Sequence, residues 1–292
     1  MPEPVEFSLI IPAHNEESVI ARCLKTALSG APDPPGFEII VAANGCSDRT
    51  AEIARNVMPA AQILEIPEGS KTGAINVANR AASHFPRIYL DADVECEYGS
   101  LAALARTLKG PEIMTAAPAI RLDLEHCNAL VKAYYSAWMQ QPFAKAGKGG
   151  AGCYGLSQAA LEAVGEFPQI IGDDIWIHTR FPDEQKRMVA QDELGRPVFS
   201  IVRPPRTAWQ QIKVEARRMI GNAEVKRNYP SPYVSLANKG GGVLGSLRSG
   251  ASPIDLLVFY AIKMMVRIET RLAKSRGSGV EWTRDLTSRQ DG

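Results

Sequence analysis

The feature that most constrains the fold of this chain is an alternation of strands and helices that occurs four times before residue 110. Short apolar runs with β-branched or aromatic members predict strands at Phe7–Ile11, Phe37–Ala43, Ile63–Ile66 and Arg87–Leu90. A polar loop follows each run, and apolar residues at helical spacing follow each loop. Such alternation predicts an α/β fold, with a mostly parallel sheet and helices on both of its faces.

Composition indicates a soluble globular protein and excludes some classes of partner. Of the 292 residues, 45% are hydrophobic and 22% are charged, which is ordinary for such proteins. The formal net charge is +1, so no overall field attracts nucleic acid, and we expect no nucleic-acid partner. No uninterrupted apolar run is long enough to span a bilayer. Five scattered cysteines without a Cys-x-x-Cys pair favour reduced thiols and a cytoplasmic location.

Polar residues cluster directly after the predicted strands. The clusters are Pro12–Glu16, Asn44–Asp48, Ser70–Lys71 and Asp91–Asp93. Ligands of parallel α/β sheets bind beyond the carboxyl ends of the strands, so these clusters are expected to line one edge of the sheet. A cap or a turn explains any one of them; Asn15, for example, could cap the helix that follows it. Four clusters on one edge predict a binding site.

Asp91 and Asp93 are the candidate metal ligands. Residues two apart on a strand point to the same face, so both carboxylates can aim at one point as the fourth strand ends. Mg²⁺ or Mn²⁺ takes oxygen ligands and shares them with substrate phosphates, which makes such a cation the simplest counter-charge. The alternative is a solvated turn that contains two acids. Lys71, at the start of a helix, is expected to help hold an anionic diphosphate opposite the metal.

Two further motifs lie later in the chain. Asp173 and Asp174 stand at a predicted helix start, where acids often serve only as caps. Gly150–Gly155 has the G-x-G-x-x-G spacing of dinucleotide sites, but no apolar strand precedes it, so we do not favour a nicotinamide cofactor.

Taken in order, these motifs resemble those of glycosyltransferase family 2. The segments that carry the resemblance are Phe7–Glu17, Asn44–Thr50, Lys71–Asn76 and Asp91–Asp93, and the likeness is looser beyond residue 110. The resemblance implies a GT-A fold with a Rossmann-like sheet. It also implies transfer of a sugar, with inversion, from a nucleoside-diphosphate sugar to an acceptor hydroxyl, with Mn²⁺ or Mg²⁺ as cofactor. The acceptor could be a glycan, a lipid-linked molecule or a small molecule.

The resemblance also implies roles for single residues of the donor site. Pro12, Asn15 and Glu16 would border the nucleoside, Asp48 would meet the base, and Asp91 would lie near the ribose and the diphosphate, while Asp93, with Asp91, would hold the metal. Asn44 is a further candidate donor-binding residue. The resemblance also implies that Gly150–Gly155 is a tight, flexible segment that lines the sugar and acceptor pocket, with Ser157 starting the next helix. A UDP-sugar is the expected donor. Asn44, however, stands where the family often has an acid, which leaves the identity of the base open.

The likeness to the family's acidic motif makes Asp174 the predicted catalytic base, which removes the proton of the acceptor hydroxyl, with Asp173 beside it. The basic helix Trp209–Arg227 lacks the Gln-x-x-Arg-Trp motif of processive members, so we expect non-processive transfer. Arg217 or Arg218 of this helix could still touch the diphosphate.

Two other functions stay open at this point. One is a nucleotidyltransferase on a similar sheet, although the glycine-rich, basic triphosphate loop that such an enzyme needs does not follow the first strand. The other is a non-catalytic protein that binds a sugar nucleotide. Asp174 discriminates between an enzyme and a binding protein, because only an enzyme loses turnover when this residue is replaced.

We predict three regions along the chain. Residues 1–110 form the nucleotide-sugar-binding half, residues 111–229 form the acceptor-binding and catalytic half of the same domain, and residues 230–292 form a linker and an amphipathic helix. Helical spacing also predicts a helix over Leu124–Met139.

The C-terminal helix, Ile254–Leu272, interleaves basic and apolar residues. A helix of this kind can lie on an anionic membrane surface, such as the inner face of the cell membrane. It can equally pack on its own domain or on a second subunit in a homodimer, and the sequence leaves these alternatives open.

Overall fold

The computed structural model describes residues 5–141, 144, 152–233, 242–248 and 250–275. The chain divides into two compact units. Met1–Arg121 and Gly147–Val202 form the first unit, and Leu122–Ala146 and Arg203–Gly292 form the second. The predicted division at residues 110 and 229 concerns functional regions rather than compact units, and it stays a prediction.

A mixed sheet is the centre of the first unit. In the described part of the chain its strands are β1 (Ser8–Ala13), β2 (Glu38–Asn44), β3 (Gln62–Ile66), β4 (Arg87–Leu90), β5 (Thr115–Leu122), β6 (Cys153–Leu156), β7 (Lys186–Val189) and β8 (Phe199–Val202). They follow the order β3-β2-β1-β4-β6-β5-β7, and β8 pairs with β5. β3, β2, β1 and β4 are parallel, whereas β6 runs antiparallel to β4 and to β5. The four predicted strands and the α/β class are confirmed.

Helices connect and cover these strands. In chain order they are α1 (Ile20–Leu28), α2 (Thr50–Val57), α3 (Lys71–Ala81), α4 (Tyr98–Lys109), α5 (Ala129–Met139), α6 (Gln158–Val164), α7 (Asp173–His178), α8 (Ala208–Asn228), α9 (Gly242–Arg248) and α10 (Pro253–Ser275). Of these, α5, α8, α9 and α10 belong to the second unit. No helix of the described residues is long and apolar enough to cross a membrane.

The core of the first unit explains why the early strands are apolar throughout. All six residues of β1 are buried, and β2 is buried from Ile39 to Asn44. Leu9 of β1, Leu90 of β4 and Leu104 of α4 belong to one hydrophobic cluster. A parallel strand that is covered on both faces has no side that can be polar until it ends. Polar side chains therefore appear where the strands leave the sheet.

The glycine-rich stretch contains a strand that the sequence analysis did not predict. Gly150 and Ala151 lie outside the described residues, but Cys153–Leu156 form β6 in the interior of the sheet order rather than a loop. A Cβ atom on Gly155 would lie 2.5 Å from Leu108 Cδ1, so a larger residue here would require the Leu108 side chain of α4 to move. Ser157 caps α6 as predicted, since its Oγ accepts a hydrogen bond from the Ala160 amide at 3.2 Å.

The second unit is a group of packed helices. Tyr134 of α5, Ile212 and Ala216 of α8, and Phe259 and Val266 of α10 form its hydrophobic cluster. The predicted helix start at Leu124 is wrong, because α5 begins only at Ala129. Its start is set by Asn128, whose side chain accepts a hydrogen bond from the Val131 amide at 3.0 Å.

Candidate active site

The carboxyl ends of β1, β2 and β4 lie at the same edge of the sheet. Pro12 pairs with Ala42 and Ala13 with Ala43 in parallel register, so the loops after β1 and β2 leave the sheet side by side. Asp91 directly follows β4, the other neighbour of β1. The register thus brings together the polar loops of these strands, as predicted.

Asn15 fastens the loop after β1 to the loop after β2. Its φ is 50°, in the left-handed region that asparagine tolerates better than most residues. Its Oδ1 accepts a hydrogen bond from the Ser47 amide at 2.6 Å, and its own amide donates to Cys46 Sγ at 3.3 Å. The predicted capping by Asn15 is therefore wrong, because α1 begins at Ile20 and the Asn15 side chain bonds to the neighbouring loop.

Glu16 and Asp48 strengthen the same junction. The Glu16 amide donates to Thr50 Oγ1 at 2.7 Å. The Asp48 carboxylate accepts from the Thr50 amide at 3.0 Å and from the Glu17 amide at 3.1 Å, so it bonds the start of α2 to the loop after β1. Direct contact with a nucleotide stays a prediction for Pro12, Asn15, Glu16 and Asp48.

Asn44 is fully buried at the end of β2. Its amide group donates to the carbonyl oxygens of Ala13 at 2.9 Å and Ala42 at 3.3 Å, which ties the ends of β1 and β2 together. An acid here would place a charged oxygen against two carbonyl oxygens. This repulsion explains why the position is occupied by asparagine rather than by an acid. The predicted contact of Asn44 with the nucleotide stays a prediction, since in this structure its side chain supports the strand ends.

Lys71 connects the two candidate carboxylate pairs. Its Nζ lies 2.7 Å from Asp91 Oδ1 and 3.0 Å from Asp173 Oδ1. Burial alone would lower the pKa of Lys71, but the charges of Asp173 and Asp91 raise it well above its ordinary value, so the ammonium group is a permanent cation. In this structure the Lys71 ammonium group makes two ion pairs with acids of the protein. Its contact with a diphosphate stays a prediction.

The surroundings of Asp91 contain more acidic than basic groups. Burial raises the pKa of Asp91 to about 6, the Lys71 cation opposes this rise, and the carboxylates of Asp173 and Asp93 add to it. Two acids share one ammonium group, and a third acid lies nearby. A further cation at this point would lower the electrostatic energy.

Gly152 allows the chain to approach the Asp91 carboxylate. The Asp91 amide donates to the Gly152 carbonyl oxygen at 2.7 Å. Gly152 has a φ of +83°, and a Cβ atom there would lie 2.7 Å from Val94 Cγ2 and 3.1 Å from Asp91 Oδ2. Glycine is therefore required beside the carboxylate. The sequence analysis did not predict that Gly152 lies beside Asp91, although the G-x-G-x-x-G spacing drew attention to this glycine.

The side chains of Asp91 and Asp93 fit Mn²⁺ or Mg²⁺ that is also bound by a substrate. Both residues are partly exposed and offer the hard oxygen donors that these ions prefer. Among the described residues, no three or more His, Cys, Asp and Glu side chains are grouped so that they could hold a metal alone. Ions of this class are commonly held by one or two carboxylates together with substrate phosphates, so no such group is needed.

The two acids at the start of α7 have different surroundings. Asp173 is only 2% exposed; its Oδ1 faces Lys71, and its Oδ2 accepts a hydrogen bond from the Tyr154 hydroxyl at 2.8 Å. Asp174 is partly exposed and lines a pocket to which Tyr154, Thr115, His178, Lys186 and Arg187 also contribute. Asp173 is therefore held in place by its partners, while Asp174 is partly exposed to solvent. The sequence analysis missed Tyr154 as a partner of Asp173.

The predicted diphosphate ligands Arg217 and Arg218 belong to α8 of the second unit. The Arg218 guanidinium forms an ion pair with Glu215 at 2.9 Å. Contact of either arginine with a diphosphate stays a prediction.

Known proteins similar to this chain share its motifs or its fold. Residues 8–148 match the sequence profile described as Glycosyl transferase family 2. No curated protein matches the chain. A solved mannosyltransferase from Pyrobaculum calidifontis, in complex with GDP-Man and Mn²⁺, is similar over 96% of this chain and 77% of its own, at 17% sequence identity and a TM-score of 0.59. This likeness shows a shared fold.

A second solved structure is more distant. Glucosyl-3-phosphoglycerate synthase from Mycobacterium tuberculosis, in complex with Mn²⁺, UDP and glucosyl-3-phosphoglycerate, is similar over 75% of this chain and 80% of its own. The sequence identity is 17% and the TM-score is 0.46, which is too low to support any inference about this chain.

Proposed function

Residues 8–148 of this chain belong to glycosyl transferase family 2, and on this premise we propose an inverting, metal-dependent transfer of a sugar from a nucleoside-diphosphate sugar to an acceptor hydroxyl. The observation that carries the proposal is the bridge in which Lys71 joins Asp91, at the end of β4, to Asp173, at the start of α7. This bridge holds the donor-side carboxylates and the acceptor-side carboxylates in fixed relation.

Asp174 is the proposed catalytic base. It is the more exposed acid of the pair, and an acceptor hydroxyl that reached it would lose its proton to the Asp174 carboxylate. As the proton leaves, the hydroxyl oxygen forms a bond to the anomeric carbon and the bond from that carbon to the diphosphate oxygen breaks. Attack from the side opposite the leaving group inverts the anomeric centre. Asp173 positions the start of α7 through Lys71 and Tyr154.

Asp93 and Asp91 would hold Mn²⁺ or Mg²⁺. When bound, such an ion takes up negative charge that develops on the departing diphosphate. The support for this assignment is the oxygen donor set and the excess of acid over base around Asp91. The Lys71 cation reduces the repulsion between the carboxylates, which keeps Asp91 ordered whether or not a metal is bound.

The donor is proposed to be a nucleoside-diphosphate sugar, with UDP-sugar as the first candidate and GDP-sugar as the second. The second candidate rests on the mannosyltransferase of shared fold, whose structure contains GDP-Man and Mn²⁺. Asn44 stands where the family often has an acid, and its amide bonds to the ends of β1 and β2, so the identity of the base stays open. The loops that meet at Asn15 and Ser47 are the expected location of the nucleoside.

We further propose a cytoplasmic location. None of the five cysteines is in a disulfide bond, and four of them are buried, which fits a reducing compartment. Contact of the C-terminal helix with the inner face of the cell membrane or with a second copy is part of the proposal, and the structure of that helix is taken up below.

Nucleotide binding tests the donor site directly. Thermal unfolding would be measured with UDP, GDP, CDP, dTDP or NAD⁺, each with Mn²⁺, with Mg²⁺ or with a chelator. We expect stabilisation by one nucleoside diphosphate that requires a divalent cation; ligand at 100 times its Kd adds about 2.7 kcal/mol. Asp93→Ala should abolish this shift, whereas Glu112→Ala, at an exposed acid before β5, should retain it. A shift with NAD⁺ alone, or none, would contradict the proposal.

Turnover then tests the base. With water as acceptor, release of the nucleoside diphosphate from its sugar conjugate would be followed for the wild type, Asp174→Asn and Glu112→Gln. We expect Asp174→Asn to lower turnover by about 10²- to 10⁴-fold and to leave the metal-dependent nucleotide shift unchanged. Equal turnover in Asp174→Asn and the wild type would rule out this base. Formation of pyrophosphate from a nucleoside triphosphate and a sugar phosphate would instead identify a nucleotidyltransferase.

A further inference from the structure

Helix α10 is apolar on two opposite sides. One side, with Leu256, Phe259, Ile262 and Val266, is buried in the hydrophobic cluster that α10 forms with α5 and α8. The opposite side, called the outer face below, consists of the exposed residues Ile254, Leu257, Tyr260, Met264, Met265 and Ile268. A helix that packs on one side only is normally polar on the other, so an apolar outer face indicates a second contact.

The outer face is continuous. Apart from the adjacent pair Met264 and Met265, its residues follow one another at spacings of three and four, which places them on one side of the helix over roughly 20 Å. Ile254 and Leu257 are each 72% exposed, so most of the surface of these two apolar residues is in contact with solvent. Contiguous exposed apolar surface of this kind marks a site of interaction with a protein or a membrane.

Positive charge accompanies the outer face. Arg267 and Arg271 follow Met264 by three and seven residues, so they lie on the same side of α10, and both are exposed. The acids of α10 are Asp255 and Glu269, which are only partly exposed, and Asp255 accepts a hydrogen bond from Ser136 of α5 at 2.6 Å. The exposed charges beside the apolar residues are therefore basic.

The two compact units have net charges of opposite sign, which nearly cancel in the whole chain. Segments 122–146 and 203–292, which make up the second unit, contain 18 Lys and Arg against 9 Asp and Glu, a net charge of +9. The other segments contain 15 Lys and Arg against 23 Asp and Glu, a net charge of −8. These opposite values give the overall +1. The unit that carries the outer face is thus strongly cationic.

We propose that the outer face of α10 docks the protein on an anionic lipid bilayer surface. Its apolar side chains enter the boundary between headgroups and acyl chains, and Arg267 and Arg271 meet lipid phosphates. The net charge of the unit favours an anionic surface over a second copy, since two copies that met through this face would bring two cationic units together. The helix lies along the surface, because no described helix can cross a bilayer.

Vesicle sedimentation of the full chain tests this proposal. The vesicles would be of phosphatidylcholine alone or of phosphatidylcholine mixed with phosphatidylglycerol, at low and high salt. We expect binding to the mixed vesicles that weakens as salt rises, and little binding to neutral vesicles. The variant Leu257→Ser/Ile268→Ser should lose sedimentation. Arg267→Gln/Arg271→Gln should bind roughly 30-fold more weakly, since each basic residue near an anionic surface contributes about 1 kcal/mol.

Matched variants outside the second unit provide the controls. Leu194→Ser removes a leucine that is 68% exposed in a turn of the first unit, and Lys25→Gln/Lys109→Gln removes two exposed charges from α1 and α4. Both should bind vesicles like the wild type. All the replaced side chains are exposed, so unfolding temperatures should stay close to that of the wild type.

Two results would overturn the proposal. The first is the absence of sedimentation with the mixed vesicles, or sedimentation that the outer-face variants and their controls reduce equally. The second is a dimer in lipid-free buffer, seen by analytical ultracentrifugation, that Leu257→Ser/Ile268→Ser dissociates. That outcome would assign the outer face to a second copy of the chain.

Discussion

Two charge clusters, each built around a buried acid, have opposite proportions of acid and base. In the first unit, Asp91 and Asp173 share one cation, Lys71. In the second unit, one acid, Glu215, is shared by Arg218 and Lys263, each at 2.9 Å. Burial raises the pKa of Asp91 to about 6. Burial would also raise the pKa of Glu215, but its two cations hold that pKa below the ordinary value.

This difference in charge distinguishes the Lys71 cluster, which belongs to the candidate active site, from the Glu215 cluster, which joins two helices. The Lys71 cluster retains negative charge, which the proposed divalent cation would balance. The Glu215 cluster has more positive than negative charge, and its acid joins two helices, α8 and α10, through Lys263. Burial and ion pairing are common to both clusters. Only the ratio of acids to bases distinguishes them.

The largest expected effect is that of Lys71→Met. The substitution leaves Asp91 and Asp173 without their counter-charge, and loss of one partner from a buried ion pair typically costs about 3–5 kcal/mol. Urea unfolding at neutral pH measures the change. Added Mn²⁺ should restore more stability to Lys71→Met than to the wild type, since it supplies the missing positive charge.

Lys109→Met is the matched control, because this lysine is exposed at the end of α4. It should change the free energy of unfolding by no more than about 0.5 kcal/mol. A similarly small loss for Lys71→Met would mean that the two carboxylates need no counter-charge, and the contrast between the clusters would fail.

Tyr154→Phe should have an intermediate effect. It removes the hydroxyl group that donates to Asp173 Oδ2 and leaves a buried carboxylate oxygen without that donor, at a cost of about 2 kcal/mol. Tyr233→Phe, at an exposed tyrosine, is the control in the same urea titration. If Tyr154→Phe were as stable as the wild type, Lys71 alone would suffice to hold Asp173.

Glu215→Gln should have the smallest effect, about 1 kcal/mol, because the side chains of Arg218 and Lys263 are 52% and 28% exposed and can turn to water. The direction in which this stability contribution changes with pH follows from the pKa of Glu215. The folded-state pKa of Glu215 is lower than its unfolded value, so the ionised acid stabilises the fold at neutral pH, and this contribution is lost as the pH falls through the folded-state pKa.

Unfolding of the wild type and Glu215→Gln at several pH values measures this dependence. The stability difference should be complete at pH 7 and should shrink below about pH 4. Glu224→Gln, on the same helix, controls for the loss of one acid. A difference that grows on acidification would contradict the lowered pKa of Glu215.

Much of the fold could be predicted because its signals are local. The apolar runs of β1 to β4 and the polar residues that end them are contiguous in sequence, and parallel register then brings the loops together. β6 could not be predicted in this way. Its four residues, Cys153–Leu156, are short and contain glycine, and they form a strand because β4 and β5 pair with them from either side.

The candidate site shows the same limit. The acids Asp91, Asp93, Asp173 and Asp174 could be singled out, because each pair stands at the end of a strand or the start of a helix. Their pairing through Lys71 and the role of Tyr154 depend on contacts between residues far apart in sequence. The different exposure of Asp173 and Asp174 likewise depends on tertiary packing, since the two residues are adjacent in sequence.

The place of β6 has a consequence for the order in which the chain can fold. β4 is synthesised more than sixty residues before β6, the strand that pairs with its other edge. Until β6 has been made, this edge of β4 stays unpaired. Gly152, which bonds to the Asp91 amide, arrives with β6. We therefore expect Asp91 to become ordered late in folding, after β6 has joined the sheet and most of the first unit has been made.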